Sequence, residues 1–302
     1  MLKSFKRFLK FYIYFFRCKT PQSSGFSSFV WGDLNASYEK VIPKIIWIYW
    51  DDEIIKSKTV KACVDNIRLL HPDYEIKMLN KNTVHQYISF DLEMVENLPL
   101  ANKSDLIRLK LLSQYGGIYL DASTLLLEKL DWVLELNNSN GTDTLAYYTK
   151  DNTSDMNFPV IETWLLASIP NSTFINDWLK EYEECLNSPN PDEYYKNATL
   201  FNYKSIPLDV AYYKCYFSAQ TVIRESKNYR LSLVCADTDA FLYSLNVTPK
   251  WSNIALSEIL LLNPVEKELP KLIKIINGSR ITLDYFIDIN NYKRNSILGR
   301  IL

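Results

Sequence analysis

The chain of 302 residues predicts an α/β fold, a sheet whose faces are covered by helices, on three observations. Apolar residues make up 47% and charged residues 23%, the balance of a chain that buries a substantial core. Strand-like and helix-like segments alternate from residue 42 to residue 186, the order that builds covered sheets. The first strand-like segment, Ile42-Pro-Lys-Ile-Ile-Trp-Ile-Tyr-Trp50, is β-branched and aromatic almost throughout, as a buried strand is.

The elements follow in order. After residues 42–50 a helix runs from Thr59 to Leu70 and stops at His71-Pro72, because proline pushes the residue before it out of the helical region. Tyr74, Ile76 and Met78 alternate with Glu75 and Lys77, the period of a second strand. Residues 82–88 read as a short helix opened by Asn82 or Thr83, both good N-caps. A helix over Lys103–Tyr115 runs into Gly116-Gly117, a natural C-terminal stop. Extended structure resumes at Ile118–Asp121, with a further strand at 144–148 and a helix at 174–186. Beyond residue 190 no clean period emerges. There is no internal repeat, and residues 41–302 read as one domain, with halves of about 41–150 and 151–302.

Composition excludes several classes. With only 7 glycines the chain has no Gly-x-Gly-x-x-Gly, no Gly-x-x-x-x-Gly-Lys-Ser/Thr and no Gly-x-Ser-x-Gly, so the usual dinucleotide, P-loop and nucleophile-elbow cradles are absent. His71 and His85 are the only histidines, too few for a multi-histidine zinc site. Cys18, Cys63, Cys185, Cys215 and Cys235 form no Cys-x-x-Cys pair and read as free thiols of a reducing compartment.

Charge is uneven. Six of the 34 basic residues fall within the first 19 positions with no acid, leaving 28 basic against 35 acidic in the rest. The body is therefore not a nucleic-acid binder, which needs a basic footprint. On a helix over residues 2–17, Leu2, Phe5, Phe8, Leu9, Tyr12, Phe15 and Phe16 share one side and Lys3, Lys6, Arg7, Lys10 and Arg17 the other. Residues 1–20 are thus expected to lie on an anionic membrane surface, at its cytoplasmic face. The apolar run Phe11–Phe16 is far short of the ~20 residues a spanning helix needs. Residues 21–40 read as a linker.

The chemistry is expected where a charged helix meets a strand end. Asp105 and Arg108 share one face of a helix whose other positions, Leu106, Ile107, Leu109, Leu111 and Leu112, are apolar; charges in so buried a helix need partners or a function. The Gly doublet then turns the chain into a strand that ends at Asp121, and ligands of open α/β sheets bind outside the carboxyl ends of strands.

The run Asp105-x-x-Arg108-x-x-x-Leu112-x-x-x-Gly116-Gly-x-Tyr119-x-Asp121 resembles the sugar-nucleotide motif of glycosyltransferase family 32 and its relatives, the capsular polysaccharide synthesis proteins among them. Residues 42–50 and Pro72–Asn80 are similar to the first two strands of the capsular branch. The resemblance implies a GT-A-type mixed sheet flanked by helices and a retaining, metal-dependent transfer of a sugar from a nucleotide-sugar, UDP by default, to a capsular or lipid-linked glycan. It also implies roles. Trp47 would stack on the base, Asn80 would contact the nucleoside, and Ser104 and Ala122 would lie at the donor. Asp105 and Arg108 would hold sugar hydroxyls, and Tyr119 would line the diphosphate pocket. Asp121 would hold Mn²⁺ or Mg²⁺, hard cations that want oxygen ligands. Many relatives carry Asp-x-Asp where this chain has Asp121-Ala122-Ser123, so Ser123 offers a neutral hydroxyl in place of the second carboxylate. That change keeps open a second reading, a non-catalytic nucleotide-sugar or glycan-binding protein. Leu242–Lys250 resembles a segment that returns to the diphosphate, with Asn246 as a candidate ligand and Lys250 beside it, though an ordinary surface loop reads as well. Phe158–Ala167 resembles a family helix near the acceptor and makes Glu162 the acceptor-side candidate.

Overall fold

The computed structural model describes residues 21, 25–35, 38, 41–89, 98–196, 211–226, 228–264 and 269–302. The amphipathic segment at 1–20 lies outside them. In chain order the strands are β1 Ser28–Gly32, β2 Ile45–Tyr49, β3 Glu75–Leu79, β4 Gly117–Leu120, β5 Thr124–Leu126, β6 Thr144–Thr149, β7 Val160–Ser168, β8 Arg230–Cys235 and β9 Leu272–Lys274. The helices are α1 Lys58–Leu70, α2 Leu100–Tyr115, α3 Asp131–Asn140, α4 Thr173–Leu186, α5 Lys214–Glu225, α6 Leu242–Asn246, α7 Asn253–Leu262 and α8 Asn277–Asp288.

Seven strands form one mixed sheet in the order β1-β8-β6-β7-β4-β2-β3, and β5 pairs with β9 in a separate ribbon. The strands β3, β2 and β4 run parallel, as do β6 and β8, while the other neighbours are antiparallel. Because side chains alternate across a strand, each strand feeds two cores. Trp47, Tyr119, Ala146, Leu231 and Leu233 pack beneath α2, α4 and α5. Ile46, Ile48, Ile118, Leu120, Leu145 and Tyr147 pack beneath α1 and α3. A third cluster joins the β5–β9 ribbon to α7 and α8 through Leu125, Ile273, Leu256, Ile259, Leu283 and Phe286. This is the covered α/β sheet that the alternation of segments predicts. Cys63, Cys185, Cys215 and Cys235 are free and buried, and among the described residues no helix is long and apolar enough to cross a membrane.

Three segments differ from expectation. Residues 28–32, assigned to the linker, form the edge strand β1, antiparallel to β8. Trp31 is its one fully buried residue, and its indole donates to the Asn157 carbonyl at 3.0 Å; so short a strand behind a Pro/Ser/Gly run leaves little sequence signal. Residues 158–167, likened to a helix, contain β7. All nine of its residues are buried between β4 and β6, so no period-2 pattern marks it. Residues 82–88 contain only a 3₁₀ turn, Val84–Gln86.

The glycine doublet sets the chain's entry into β4. Gly116 has φ 64° and ψ −155°, backbone that residues with a Cβ avoid. A Cβ there would stand 2.6 Å from the Pro170 nitrogen and 2.7 Å from the Ser168 carbonyl oxygen. Gly116→Ala is expected to lower unfolding free energy by about 2–4 kcal/mol, read by urea denaturation; a change within ~0.5 kcal/mol would contradict this account of the turn.

Candidate active site

The turn at Gly116 folds α2 back alongside β4. Eight helical residues at ~1.5 Å each separate Arg108 from the turn, about 12 Å. Four strand residues at ~3.3 Å each carry Asp121 away from it, about 13 Å. The spacing from Arg108 to Asp121 therefore brings a mid-helix guanidinium level with a carboxylate leaving the strand. The two meet, with Arg108 Nη2 3.1 Å from Asp121 Oδ1.

Arg108 is the centre of the network. Its Nη1 lies 2.9 Å from Asp105 Oδ1, its Nη2 also donates to Ser104 Oγ at 3.1 Å, and its guanidinium lies 4.8 Å over the Tyr119 ring. The Tyr119 and Ser104 hydroxyls are 3.0 Å apart. The other oxygen of Asp121, Oδ2, accepts from Lys274 Nζ at 2.6 Å, and Lys274 reaches Ser123 Oγ at 3.3 Å. The Ser123 hydroxyl donates to the Ile275 carbonyl at 2.9 Å.

These groups open onto a cavity of about 920 Å³. It lies at the carboxyl ends of β2 and β4, where Tyr49, Trp50, Asp51 and Asp52 follow one strand and Asp121, Ala122 and Ser123 the other. Glu162 and Tyr216 form part of one wall, and Lys274, Asn277 and Arg280 part of another. The electrostatics follow from burial and pairing. Burial pushes the Asp105 carboxyl up to about 6, more than Arg108 pulls it down, since Arg108 is shared between two carboxylates. Burial would also raise Asp121, but Lys274 and Arg108 together hold it below the ordinary carboxylate range. Glu162 is pushed up to about 7, chiefly by burial, although the Tyr216 hydroxyl donates to it at 2.9 Å.

Of the residues singled out from sequence, Ser104, Asp105, Arg108, Asp121, Ala122, Ser123 and Glu162 all line this cavity. Five others do not. Trp47 is 2% exposed, donates to the Gly116 carbonyl at 2.8 Å and packs against Tyr87 and Tyr115; its place in the strand points it into the core beneath α2, away from any base. Asn80 lies in a separate depression, where its side-chain oxygen accepts from the Asn82 backbone at 2.8 Å. Tyr119 is fully buried and underlies Arg108 instead of lining a diphosphate pocket. The Asn246 amide donates to Leu242 in its own helix at 2.8 Å, so it offers no ligand here. Lys250 pairs on the surface with Asp151 at 3.0 Å.

Sequence reasoning missed Asp51, Asp52, Lys274, Arg280 and Tyr216. The first two directly follow a predicted strand, and the rule that points to Asp121 would have pointed to them. Lys274 had a signal too, a lone charge within Leu272-Ile-Lys-Ile-Ile276.

The donor set does not fit a divalent cation. Both oxygens of Asp121 already accept from cationic side chains, Ala122 offers no ligand, and the Ser123 hydroxyl is committed to Ile275 and Lys274. Among the described residues no group of three or more His, Cys, Asp or Glu could hold a metal ion together.

Comparison with known proteins adds to this geometry. The family model for capsular polysaccharide synthesis proteins matches residues 27–263. Inositol phosphoceramide mannosyltransferase 3 of Schizosaccharomyces pombe is 33% identical over 97 residues, 30% of this chain and 26% of that protein. The chain thus spans about a quarter of the length of this curated relative. Among solved structures, a glycosyltransferase involved in glycosylation of the major capsid of PBCV-1 has 12% identity and a TM-score of 0.39, with coverage of 82% of this chain and 100% of that one. The galactosyltransferase LgtC, solved with donor and acceptor sugar analogues, has 14% identity and a TM-score of 0.34, with coverage of 57% and 70%.

Proposed function

We propose that this chain, which belongs to the capsular polysaccharide synthesis protein family, is a glycosyltransferase that moves a sugar from a nucleotide-sugar onto a glycan acceptor. One observation carries the reading: Asp105, Arg108 and Asp121 form a single hydrogen-bonded network on the wall of a cavity large enough for a nucleotide-sugar.

The chemistry suits such a wall. Transfer breaks the bond between the anomeric carbon and the diphosphate oxygen, and the electron pair stays with the diphosphate. The acceptor hydroxyl oxygen bonds to the anomeric carbon, and its proton ends on the released nucleoside diphosphate. Positive charge builds on the sugar ring and negative charge on the leaving group. Fixed dipoles and charges that match this separation lower the barrier without reorganising. Asp105, and Asp51 and Asp52 across the cavity, can accept from sugar or ribose hydroxyls, while Arg108 orients the carboxylates and faces the donor. Trp50 and Tyr49 offer aromatic surface at the strand end, the task that resemblance gives to Trp47.

Family resemblance supplies the finer reading: retention of configuration, a cell-surface or capsular acceptor on a lipid carrier, and residues 1–20 resting on the cytoplasmic face of the membrane. The mannosyltransferase relative carries inositol phosphoceramide in its name, which supports only the lipid-bearing part of that acceptor. The resemblance also implies Mn²⁺ or Mg²⁺ at Asp121. The donor set around Asp121, taken up by Arg108, Lys274 and Ile275, does not fit one as it stands, and the roles given above to this chain's residues do not call on it.

The test is release of nucleoside diphosphate from a panel of UDP- and GDP-sugars by the full chain. Arg108→Lys keeps a charge but loses the fork that serves Asp105, Asp121 and Ser104 at once, and is expected to lower kcat/KM by about 10²-fold. Full activity in that variant, in a protein that still unfolds cooperatively, would remove Arg108 from the reaction. Binding of a nucleotide-sugar with no turnover under any condition would favour the non-catalytic reading.

A further inference from the structure

Resting on the donor reading proposed for this cavity, we infer that Lys274 is the counter-cation of the leaving diphosphate and takes the place of a divalent metal ion. The ammonium stands where a cation bound to Asp121 would stand, 2.6 Å from Oδ2. Its side chain is only 10% exposed, and it still lines the cavity. It issues from β9, next to the residues that follow β4, because Thr124 pairs with Lys274. An ammonium has three N–H donors. Asp121 and Ser123 take two of them, which leaves the third for a ligand in the cavity.

The segment just past Lys274 strengthens the assignment. Ile275, Ile276, Asn277 and Gly278 line the same cavity as the chain enters α8, and no side chain caps that helix. Its first N–H groups and the positive end of its dipole therefore face the position an anion would take. Arg280 lies one turn along, with its guanidinium 4.9 Å over the Trp50 ring, and it lines the cavity too. One short segment thus presents an ammonium, a guanidinium and a helix N-terminus toward one space. Arg108 and Lys274 are matched by Asp105 and Asp121, and Asp51 and Asp52 add negative charge after β2, so the positive groups for an incoming diphosphate are confined to one segment, Lys274, Arg280 and the helix end. As the bond to the anomeric carbon lengthens, the developing charge on the diphosphate is met by donors already in place.

An ion pair that only braces the fold would not discriminate between ligands, and the test uses that. Isothermal titration with UDP and with GDP on the full chain, first in excess EDTA and then in millimolar Mn²⁺, is expected to give one nucleotide whose Kd differs by less than about threefold between the two buffers. Lys274→Met is expected to weaken that nucleotide at least tenfold while leaving the affinity for the matching nucleoside, uridine or guanosine, within about twofold; Lys274→Arg should keep most of the diphosphate affinity. A wild-type Kd that weakens tenfold or more in EDTA would overturn the inference and leave the transferase reading standing, and that arm decides even if Lys274→Met fails to fold. Undiminished UDP or GDP binding by Lys274→Met would also overturn it. If neither nucleotide binds in either buffer, the donor reading falls with it.

Discussion

Asp121→Asn is expected to cost about 10²–10³-fold in transfer rate and, separately, to destabilise the fold. The substitution preserves size but turns one of the two accepting oxygens into an NH2 donor facing a cation, and it removes the one charge shared by Arg108 and Lys274. Arg108 keeps Asp105 as its partner. Lys274 does not fare so well: Asp121 is its carboxylate, and the ammonium is left nearly buried without a counter-ion. Stranding a buried charge costs up to ~3–5 kcal/mol. The Asp121 side chain is 26% exposed, and water reaching it reduces the penalty to about 2 kcal/mol. In a chain of this size that corresponds to a fall of about 3 °C in Tm. The double variant Asp121→Asn/Lys274→Met separates the two effects. Removing the ammonium along with its partner removes the stranded charge, so the double variant should be more stable than the sum of its parts by about 1–2 kcal/mol, while its activity stays lost. Initial rates and urea denaturation of the four proteins measure both quantities. Wild-type turnover in Asp121→Asn would overturn the role of this carboxylate.

The half of the site built from residues 104–123 was legible because local chain geometry makes it. A charged helix, a glycine turn and a strand are contiguous in sequence, and their rises alone bring Arg108 to Asp121. The half contributed by Lys274 and Arg280 comes from about 150 residues further on, and only the β5–β9 pairing carries it there; contacts between remote segments leave no period in either one. Trp47 illustrates a different limit. Resemblance placed an aromatic residue of the first strand at the donor, but Trp47 and Tyr49 share one face with Tyr119 beneath α2, and position along the strand decides which of them reaches the cavity. Residues at and just past the strand end, Tyr49 to Asp52, reach the cavity instead. β1 and β7 were hidden for opposite reasons: one strand is too short and half-buried, the other too uniformly buried to show alternation.

Glu162→Gln is expected to stabilise the protein in alkaline solution while impairing its reaction. The Glu162 carboxyl, 6% exposed, is raised by burial from 4.5 to about 7. Between those values the folded chain holds a proton that the unfolded chain has released, so unfolding releases a proton and stability falls as pH rises. The contribution is complete below about pH 4.5, declines through pH 7 and is spent above it, for a total on the order of 3 kcal/mol. Asp105, Asp143 and Asp239, each raised to about 6 by burial, give slopes of the same sign, so the wild-type decline is steeper than Glu162 alone would produce. Glutamine removes one part of it. Its amide oxygen can still accept from Tyr216, and it carries no charge to desolvate. Urea denaturation should therefore find Glu162→Gln equal to wild type near pH 4.5 and more stable by about 1–3 kcal/mol at pH 8. A carboxylate kept in the cavity wall at such a cost is expected where function needs it, and the variant should lose transfer to the acceptor more than it loses donor affinity. Equal stability of the two proteins at pH 8 would mean that Glu162 is better solvated than its surroundings indicate; equal transfer rates would remove it from the acceptor side.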